Sequence, residues 1–171
     1  SPLTPLKLPY PDCIVPDWPA SSNVRAFVTT RTGGASSGPY ASFNLGLRTA
    51  DDPAAVAVNR HTLRALLPGE PVWLKQVHGS RVIDADVPVA VSEADAAVAR
   101  NAGTVCAILV ADCVPVLLTD DAGTTVAAAH AGWRGLAGGV VENTVRAMRC
   151  PPADLMAFLG PGIGPRAFEV G

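Results

Sequence analysis

Apolar residues cluster along the chain in runs that are typical of buried strands. Residues 104–119 form the longest of these runs and predict a central strand buried on both faces. Pro115 lies within the run and cannot donate to a strand ladder, so we expect a bulge or bend beside it. A polar turn at residues 120–123 separates this run from a second one at 124–130, which predicts the neighbouring strand of a hairpin.

Shorter apolar segments predict further strands. Residues 72–77 alternate between apolar and polar positions, which is typical of a half-buried strand, and His78 follows at its end. Residues 81–87 resemble the returning strand of a hairpin with that segment. Two more strands are predicted at residues 24–30 and 155–159.

Two segments carry the signals of helices. Residues 51–53 (DDP) place an acidic N-cap before a proline at the first helical position, and apolar residues then recur at helical spacing until Pro68. A second helix is predicted to begin at residues 132–135 (GWRG), with an apolar stripe along residues 136–148. The predicted order therefore mixes strands and helices.

The composition bounds the class of protein. The chain has 171 residues, which suits one domain, and only 16% of them are charged while 49% are hydrophobic. The net charge of −2 and the absence of a basic stripe argue against binding to nucleic acid. The apolar runs are too short or too interrupted for a membrane span, and residues 1–22 form a proline-rich, irregular N-terminal arm without the pattern of a secretory signal.

The four cysteines show neither a CxxC pair nor the density of a disulfide scaffold. Cys106 and Cys113 are an odd number of residues apart, so on one strand they would face opposite sides of the sheet and would not pair. A reduced, cytoplasmic protein is the expectation.

Chemically active side chains concentrate at residues 105–135. Asp112 and Cys113 lie within one predicted strand, His130 ends the next, and Arg134 follows in a glycine-rich turn. Core strands rarely carry such residues together unless they form a site. The predicted helix start, with its exposed N–H groups and the guanidinium of Arg134, suits an anion such as phosphate.

Three other residues keep two interpretations each. Arg31 lies in a glycine-rich loop and suits either a solvated charge or a binding role. His78 is either a hydrogen-bonded, half-buried histidine or part of the site. Asp95 interrupts an apolar segment and could orient a ligand histidine or cap a turn.

Long motifs in the chain resemble those of the YfiH-type family, whose members are called multicopper polyphenol oxidase (laccase-like), purine nucleoside phosphorylase or peptidoglycan editing factor. The resemblance is strongest at residues 72–79 (VWLKQVHG), 111–117 (ADCVPVL) and 128–135 (AAHAGWRG), and it extends over almost the whole chain beyond the N-terminal arm. Further matching segments are residues 29–34, 44–46, 51–53, 59–60, 94–96 and 159–165.

The resemblance implies an α+β fold with a mixed, sandwich-like sheet core and outer helices, thought to be shared with cysteine-dependent hydrolases. It also implies one YfiH-like domain over residues 1–171, from which a C-terminal part is missing, because the family pattern continues past residue 171.

The resemblance further implies a metal centre, with zinc or alternatively copper held by His78, Cys113 and His130. The implied activities are phosphorolysis of adenosine, inosine or methylthioadenosine and deamination of adenosine, so the expected partners are purine nucleosides and phosphate, with no nucleic acid and no membrane. Asp112 joins the three ligands as a catalytic candidate. The residues expected to bind substrate or phosphate are Arg31, Asn44, Arg60, Asp95 and Arg134.

Other functions stay open at this stage. Cys113 could act as a nucleophile with His130 as its base in a metal-free hydrolase. The family also suggests an amidase that edits peptidoglycan precursors, or a laccase-like polyphenol oxidase, although one mononuclear site suits copper oxidation poorly. A binding module without enzymatic activity is a further alternative, and the sequence leaves the oligomeric state open.

Overall fold

A five-stranded mixed sheet forms the centre of the protein. The computed structural model describes residues 13–87, 90 and 92–169. The sheet has the order β2-β3-β6-β5-β7, with β2 parallel to β3 and the other neighbours antiparallel. Its strands are β2 (Val82–Asp84), β3 (Ala96–Ala99), β5 (Val114–Asp120), β6 (Val126–Ala131) and β7 (Leu155–Leu159).

The remaining elements surround this sheet. Strands β1 (Pro71–Val72) and β4 (Val105–Cys106) form a separate parallel pair. The helices are α1 (Pro53–Arg64), α2 (Trp133–Ala137) and α3 (Val140–Met148), and short 3-10 turns lie at Gly38–Tyr40 and Pro152–Asp154. Within the described residues, no helix has the length and apolar character needed to cross a membrane.

Helix α3 packs directly on the sheet because the central strands carry many alanines. Val140 and Met148 of α3 are 0% and 1% exposed, and they lie in one buried cluster with Ala96 and Ala129 of β3 and β6. Because these side chains are small, the helix can approach the sheet closely, and the apolar surface between them is removed from water. The predicted α+β class is confirmed.

Local capping chemistry explains why α1 begins as predicted. The side chain of Asp52 accepts a hydrogen bond from the backbone N–H of Ala54 at 2.9 Å, and Pro53 occupies the first helical position. The helix ends at Arg64, a few residues before the predicted stop at Pro68. The predicted hairpin of β5 and β6 is also confirmed.

The long strand predicted at residues 104–119 is wrong, because this segment forms two strands in different sheets: β4 pairs with β1, and β5 belongs to the five-stranded sheet. Between β4 and β5, the side-chain amide of Gln76 takes the place of a strand partner: it donates to the carbonyl of Leu109 and accepts from the N–H of Leu109, both at 2.7 Å. Cys113 therefore lies in the turn directly before β5 and not beside a bulge within a longer strand.

The predicted hairpin of residues 72–77 and 81–87 is also wrong. The first segment is a strand only at β1, and β2 pairs in parallel with β3 instead of with β1. The backbone N–H groups of residues 77–79 donate to a side chain, not to a strand. Residues 24–30 do not form a strand either, since among the described residues their pairing is limited to one bridge between Val28 and Ile14.

The single helix predicted from residue 132 to 148 is two helices. Gly139 has a φ of +90°, a left-handed conformation that glycine adopts without strain, and it separates α2 from α3. Leu136 belongs to α2 and is 49% exposed, so it is not part of the buried stripe. The GWRG segment therefore supplies the N-cap and the first three residues of a helix that is only five residues long, which weakens the predicted anion site at a long helix start.

Candidate metal centre

Three side chains with metal-binding atoms converge at one end of β5 and β6. The ligand atoms of His78, Cys113 and His130 all lie within 4.8 Å of one another. The Sγ atom of Cys113 is 4.0 Å from Nε2 of His78, and the two imidazole rings meet edge to face with centroids 4.8 Å apart. His78 is exposed and His130 is only 4% exposed, so the cluster is open on the His78 side.

The register of the hairpin brings the thiol and one histidine together. His130 on β6 pairs with Pro115 on β5, and Cys113 precedes Pro115 by two residues. Gly132 then follows His130 and passes beside the cluster: a Cβ atom there would lie 2.9 Å from Sγ of Cys113 and 3.3 Å from Cδ2 of His78. Only glycine leaves this space for the ligands.

His78 enters the cluster from a tight turn with an unusual backbone. Its φ is +59°, a left-handed value that is uncommon for residues other than glycine. The carboxylate of Asp95 accepts the N–H groups of three consecutive residues, Val77 at 3.0 Å, His78 at 3.0 Å and Gly79 at 2.9 Å. This set of hydrogen bonds holds the turn in its strained conformation.

The same carboxylate contacts the second histidine. Oδ2 of Asp95 is 2.8 Å from Nδ1 of His130, and Asp95 is 0% exposed. Burial tends to raise the pKa of this carboxyl group, but the hydrogen bonds from His130 and from the three backbone N–H groups outweigh it, so the pKa is lowered. The lowered pKa favours the ionised carboxylate, which accepts hydrogen bonds from the three backbone N–H groups and lies within hydrogen-bond distance of Nδ1 of His130.

The electrostatics around Cys113 favour the neutral thiol in the absence of a cation. Burial raises the pKa of the thiol, and the negative charges of Asp112 and Asp95 raise it further. A metal ion reverses this preference, because its positive charge stabilises the thiolate. The negative surroundings that disfavour a free thiolate therefore favour a bound cation.

The donor set fits zinc or copper. Two imidazole nitrogens and one sulfur suit these ions far better than magnesium or calcium, which prefer oxygen ligands. A tetrahedral zinc ion holds such donors about 3.3–3.7 Å apart. The present spacing of up to 4.8 Å exceeds this by about 1 Å, so metal binding needs a small inward movement of the donor side chains.

Two residues predicted to bind substrate use their polar groups within the protein. The guanidinium of Arg60 lies 3.9 Å from the ring centroid of Trp73, and its Nε donates to the carbonyl of Leu45 at 2.8 Å. Burial lowers the pKa of Arg60. The amide of Asn44 donates to the carboxylate of Asp51 at 3.1 Å. These contacts fix the loop before α1.

Arg31 and Arg134, two further residues predicted to bind substrate or phosphate, are exposed, whereas Asp95 is buried. Arg31 donates from Nε to the carbonyl of Ala41 at 2.8 Å, and the guanidinium of Arg134 lies 5.1 Å from the ring centroid of Trp133. In the part of the chain that the structure describes, neither arginine has a carboxylate within ion-pair distance. Asp112 is exposed beside Cys113.

The glycine loop at residues 160–165 supports the cluster, a role that sequence reasoning missed. The N–H of Gly160 donates to the carbonyl of Pro115 at 2.9 Å, and the N–H of Ile163 donates to that of Asp112 at 2.8 Å. A Cβ at Gly160 would lie 2.6 Å from Cγ of Pro115. The signal in the sequence was a pair of glycines directly after a predicted strand. Glycines at such positions let the loop backbone approach the neighbouring strand closely, here the strand that follows Cys113.

Known proteins similar to this chain match it along most of its length. A protein of Pseudomonas aeruginosa named purine nucleoside phosphorylase is 54% identical over 158 residues, which cover 92% of this chain and 65% of the relative. The Escherichia coli protein named purine nucleoside phosphorylase YfiH is 53% identical over 161 residues, covering 92% of this chain and 66% of the relative. The chain thus spans just under two thirds of the length of these relatives.

Solved structures show the same fold. A crystal structure of a Neisseria meningitidis protein superposes with a TM-score of 0.86 at 50% identity, covering 93% of this chain and 66% of that one. YlmD from Geobacillus stearothermophilus gives a TM-score of 0.77 at 34% identity, with 84% and 60% covered. The model of the family described as multi-copper polyphenol oxidoreductase laccase matches residues 25–171. The chain therefore belongs to this family, which includes the proteins named YfiH.

Proposed function

We propose that the protein catalyses the phosphorolysis of purine nucleosides at one metal centre formed by His78, Cys113 and His130. The observation that carries this proposal is the convergence of the three donor atoms within 4.8 Å. The substrate class is supported by the relatives named purine nucleoside phosphorylase, at up to 54% identity. Adenosine, inosine and methylthioadenosine are the proposed substrates, and deamination of adenosine is a proposed second reaction at the same centre.

Zinc is the proposed metal, with copper as the alternative. When bound, zinc supplies a Lewis acid with one position open for water or a substrate oxygen. The protein contributes a fixed His130, whose Nδ1 proton is held by Asp95, and a more exposed His78 that leaves the cluster accessible. The Cys113 thiol has to lose its proton on metal binding, so we expect the affinity for zinc to rise with pH.

Arg31 and Arg134 are the proposed phosphate ligands. Both guanidinium groups are exposed and have no carboxylate partner among the described residues, so their charges are available to an anion. In phosphorolysis a phosphate oxygen forms a bond to C1′ of the ribose, the glycosidic bond breaks, and its electron pair goes to the purine nitrogen. That nitrogen then takes a proton, for which the exposed Asp112 is the proposed relay.

Asn44 and Arg60 have a different place in this proposal. Their hydrogen bonds and the stacking of Arg60 on Trp73 occupy the groups that would contact a substrate. We propose that both residues stabilise the loop before α1 and affect the reaction only through its shape.

A metal-free hydrolase is the second candidate. The base expected from the sequence was His130, but the hydrogen-bonding contact of the thiol is with His78: Sγ of Cys113 lies 4.0 Å from Nε2 of His78. This contact favours the candidate, because a base near a thiol can generate a nucleophile. The raised pKa of the thiol opposes it. The peptidoglycan-editing activity suggested by the family would use this chemistry.

Product analysis tests the proposed function. Zinc-loaded protein is incubated with inosine or adenosine, with and without phosphate, and the products are separated by chromatography. We expect free purine base and ribose 1-phosphate only when phosphate is present, and loss of this activity in Cys113→Ala. Cys150→Ala removes a partly buried thiol outside the cluster and serves as the matched control. Absence of base release by the zinc-loaded protein, or full activity in Cys113→Ala, would contradict the proposal.

A further inference from the structure

One buried carboxylate connects the two histidines of the cluster. Asp95 accepts hydrogen bonds from the imidazole of His130 and from the backbone at His78. We infer that Asp95 is a positioning residue that fixes both histidines at once: the tautomer of His130 and the left-handed turn that presents His78. The inference rests on the proposed metal centre and explains how this chain prepares it.

Burial shows that Asp95 acts within the protein and not on a substrate. The residue is 0% exposed, and four donors surround its two oxygens: the N–H groups of Val77 and Gly79 on Oδ1, and the N–H of His78 and Nδ1 of His130 on Oδ2. In the described part of the chain, no Lys or Arg pairs with it. A buried carboxylate is tolerated only when such hydrogen bonds compensate its lost hydration.

The bond to His130 determines which ring nitrogen is free. All other partners of the carboxylate are N–H donors, so it acts as an acceptor and the 2.8 Å contact requires the proton on Nδ1. Nε2 then keeps its lone pair and is the ring nitrogen left free to bind a metal. The backbone strengthens this arrangement, because the carbonyl of Asp95 also accepts the N–H of His130 at 2.7 Å.

The three backbone bonds have a second effect, on His78. A non-glycine residue at φ +59° carries a conformational cost, and consecutive N–H groups that point toward one carboxylate offset it. Without this acceptor, the turn of residues 77–79 loses the interaction that directs the imidazole toward Cys113. Removing one carboxylate therefore disturbs two donor atoms.

Asp95→Asn tests both effects, because the amide has nearly the shape of the carboxylate but only one of its two terminal atoms is an oxygen that accepts hydrogen bonds. If the amide oxygen faces Val77 and Gly79, the NH2 group faces Nδ1 of His130 and donates to it. This favours the tautomer with the proton on Nε2, and a protonated Nε2 cannot bind a metal. If the amide is flipped, the NH2 group faces the N–H groups of Val77 and Gly79 and destabilises the turn. Neither orientation preserves the cluster.

The matched control is Asp120→Asn. Asp120 is also a buried carboxylate, only 6% exposed, and it accepts the backbone N–H groups of Thr124 at 2.7 Å and Thr125 at 3.0 Å, but it contacts no histidine. A general loss of stability would appear in both variants. A change in the histidine tautomer is expected only for Asp95→Asn.

Two measurements decide the inference. Nitrogen-15 NMR of the metal-free protein near pH 8 reports which nitrogen of His130 carries the proton, and zinc titration reports affinity. We expect Nδ1–H in the wild type and in Asp120→Asn. Asp95→Asn should either shift to Nε2–H or, with the amide flipped, keep Nδ1–H and lose the hydrogen bonds of the turn. In both cases we expect about 10- to 100-fold weaker zinc binding, in Asp95→Asn only.

If Asp95→Asn does not fold, the nitrogen-15 NMR spectrum of the wild type alone still tests the inference. Nε2–H in the metal-free wild type would overturn the inference, as would zinc affinity in Asp95→Asn within about twofold of the wild type. Neither measurement uses a nucleoside. A wild-type protein with Nδ1–H and tight zinc binding but no release of purine base would contradict the proposed function and leave the role of Asp95 intact.

Discussion

Gly132 shows how single residues limit the space around the three donor atoms. Because a Cβ at this position would lie 2.9 Å from Sγ of Cys113, Gly132→Ala must displace the thiol or the backbone. We predict zinc affinity reduced by about tenfold or more, since a displaced ligand no longer matches the metal. Isothermal titration with zinc measures this change.

Gly164→Ala is the control for that substitution, because a Cβ at Gly164 meets nothing within 4 Å. It should bind zinc like the wild type. Equal affinity of Gly132→Ala and wild type would show that the thiol at this spacing is not a ligand.

The reactivity of Cys113 separates the metal centre from the metal-free hydrolase. Burial, Asp112 and Asp95 raise the pKa of the thiol, so little thiolate is present near pH 7 when no cation is bound. We predict that iodoacetamide alkylates Cys113 more slowly in the folded, metal-free protein than in the urea-unfolded chain. Mass spectrometry of peptides measures the rate for each cysteine.

Cys106 provides the internal comparison for this experiment, because burial raises the pKa of its thiol to about 12 and it should be the least reactive. Faster alkylation of Cys113 in the folded protein than in the unfolded chain would favour the nucleophile and its histidine base.

At the scale of elements, the loop after β7 is predicted to stabilise the start of β5. A Cβ at Gly162 would lie 2.6 Å from Cγ2 of Val114 and 3.4 Å from the carbonyl oxygen of Asp112. Gly162→Ala should therefore separate the loop from the strand and lower the free energy of unfolding by about 1–3 kcal/mol. Thermal unfolding measures the effect, with Gly164→Ala as the neutral control, and an unchanged melting temperature would show that the loop does not support the strand.

The turn between β5 and β6 predicts a pH dependence of stability. Burial tends to raise the pKa of Asp120, but hydrogen bonds from the hydroxyl and N–H of Thr124 and the N–H of Thr125 lower it overall. A carboxyl group with a lowered pKa in the folded state contributes stability above its unfolded pKa of about 3.9, and this contribution is lost as the pH falls further.

Asp120→Asn should therefore unfold more readily at pH 7 and should show a flatter loss of stability than the wild type as the pH falls below about 4. Urea unfolding at a series of pH values gives both slopes. Parallel curves for the two proteins would contradict the assigned direction of the pKa.

Elements were predictable from sequence where local chemistry determines them. Asp52 and Pro53 mark the start of α1 by their own capping and backbone preferences, and the polar turn after β5 marks the hairpin. The strands predicted at residues 72–77 and 104–119 were wrong because side chains from distant segments take the place of strand partners over part of each range. Gln76 bonds to Leu109 and Asp95 bonds to residues 77–79, and no periodicity in a single segment reveals such contacts.

At the scale of the whole molecule, the cluster depends on three segments that are far apart in sequence. His78 comes from a turn before β2, Cys113 from the turn before β5, and His130 from β6. The resemblance to the family identified these residues, and the hairpin explained why Cys113 and His130 are close. The connection through Asp95 required the fold, since 17 residues separate it from His78 and 35 from His130.

Calorimetric titration of the metal-free protein with zinc shows whether the three side chains form a metal centre, when Cys113→Ala and its control Cys150→Ala are titrated beside it. We predict one equivalent of tightly bound zinc in the wild type and in Cys150→Ala, and a loss of tight binding in Cys113→Ala. Wild-type protein that binds no zinc, or Cys113→Ala that binds it as tightly, would show that His78, Cys113 and His130 are not a metal centre.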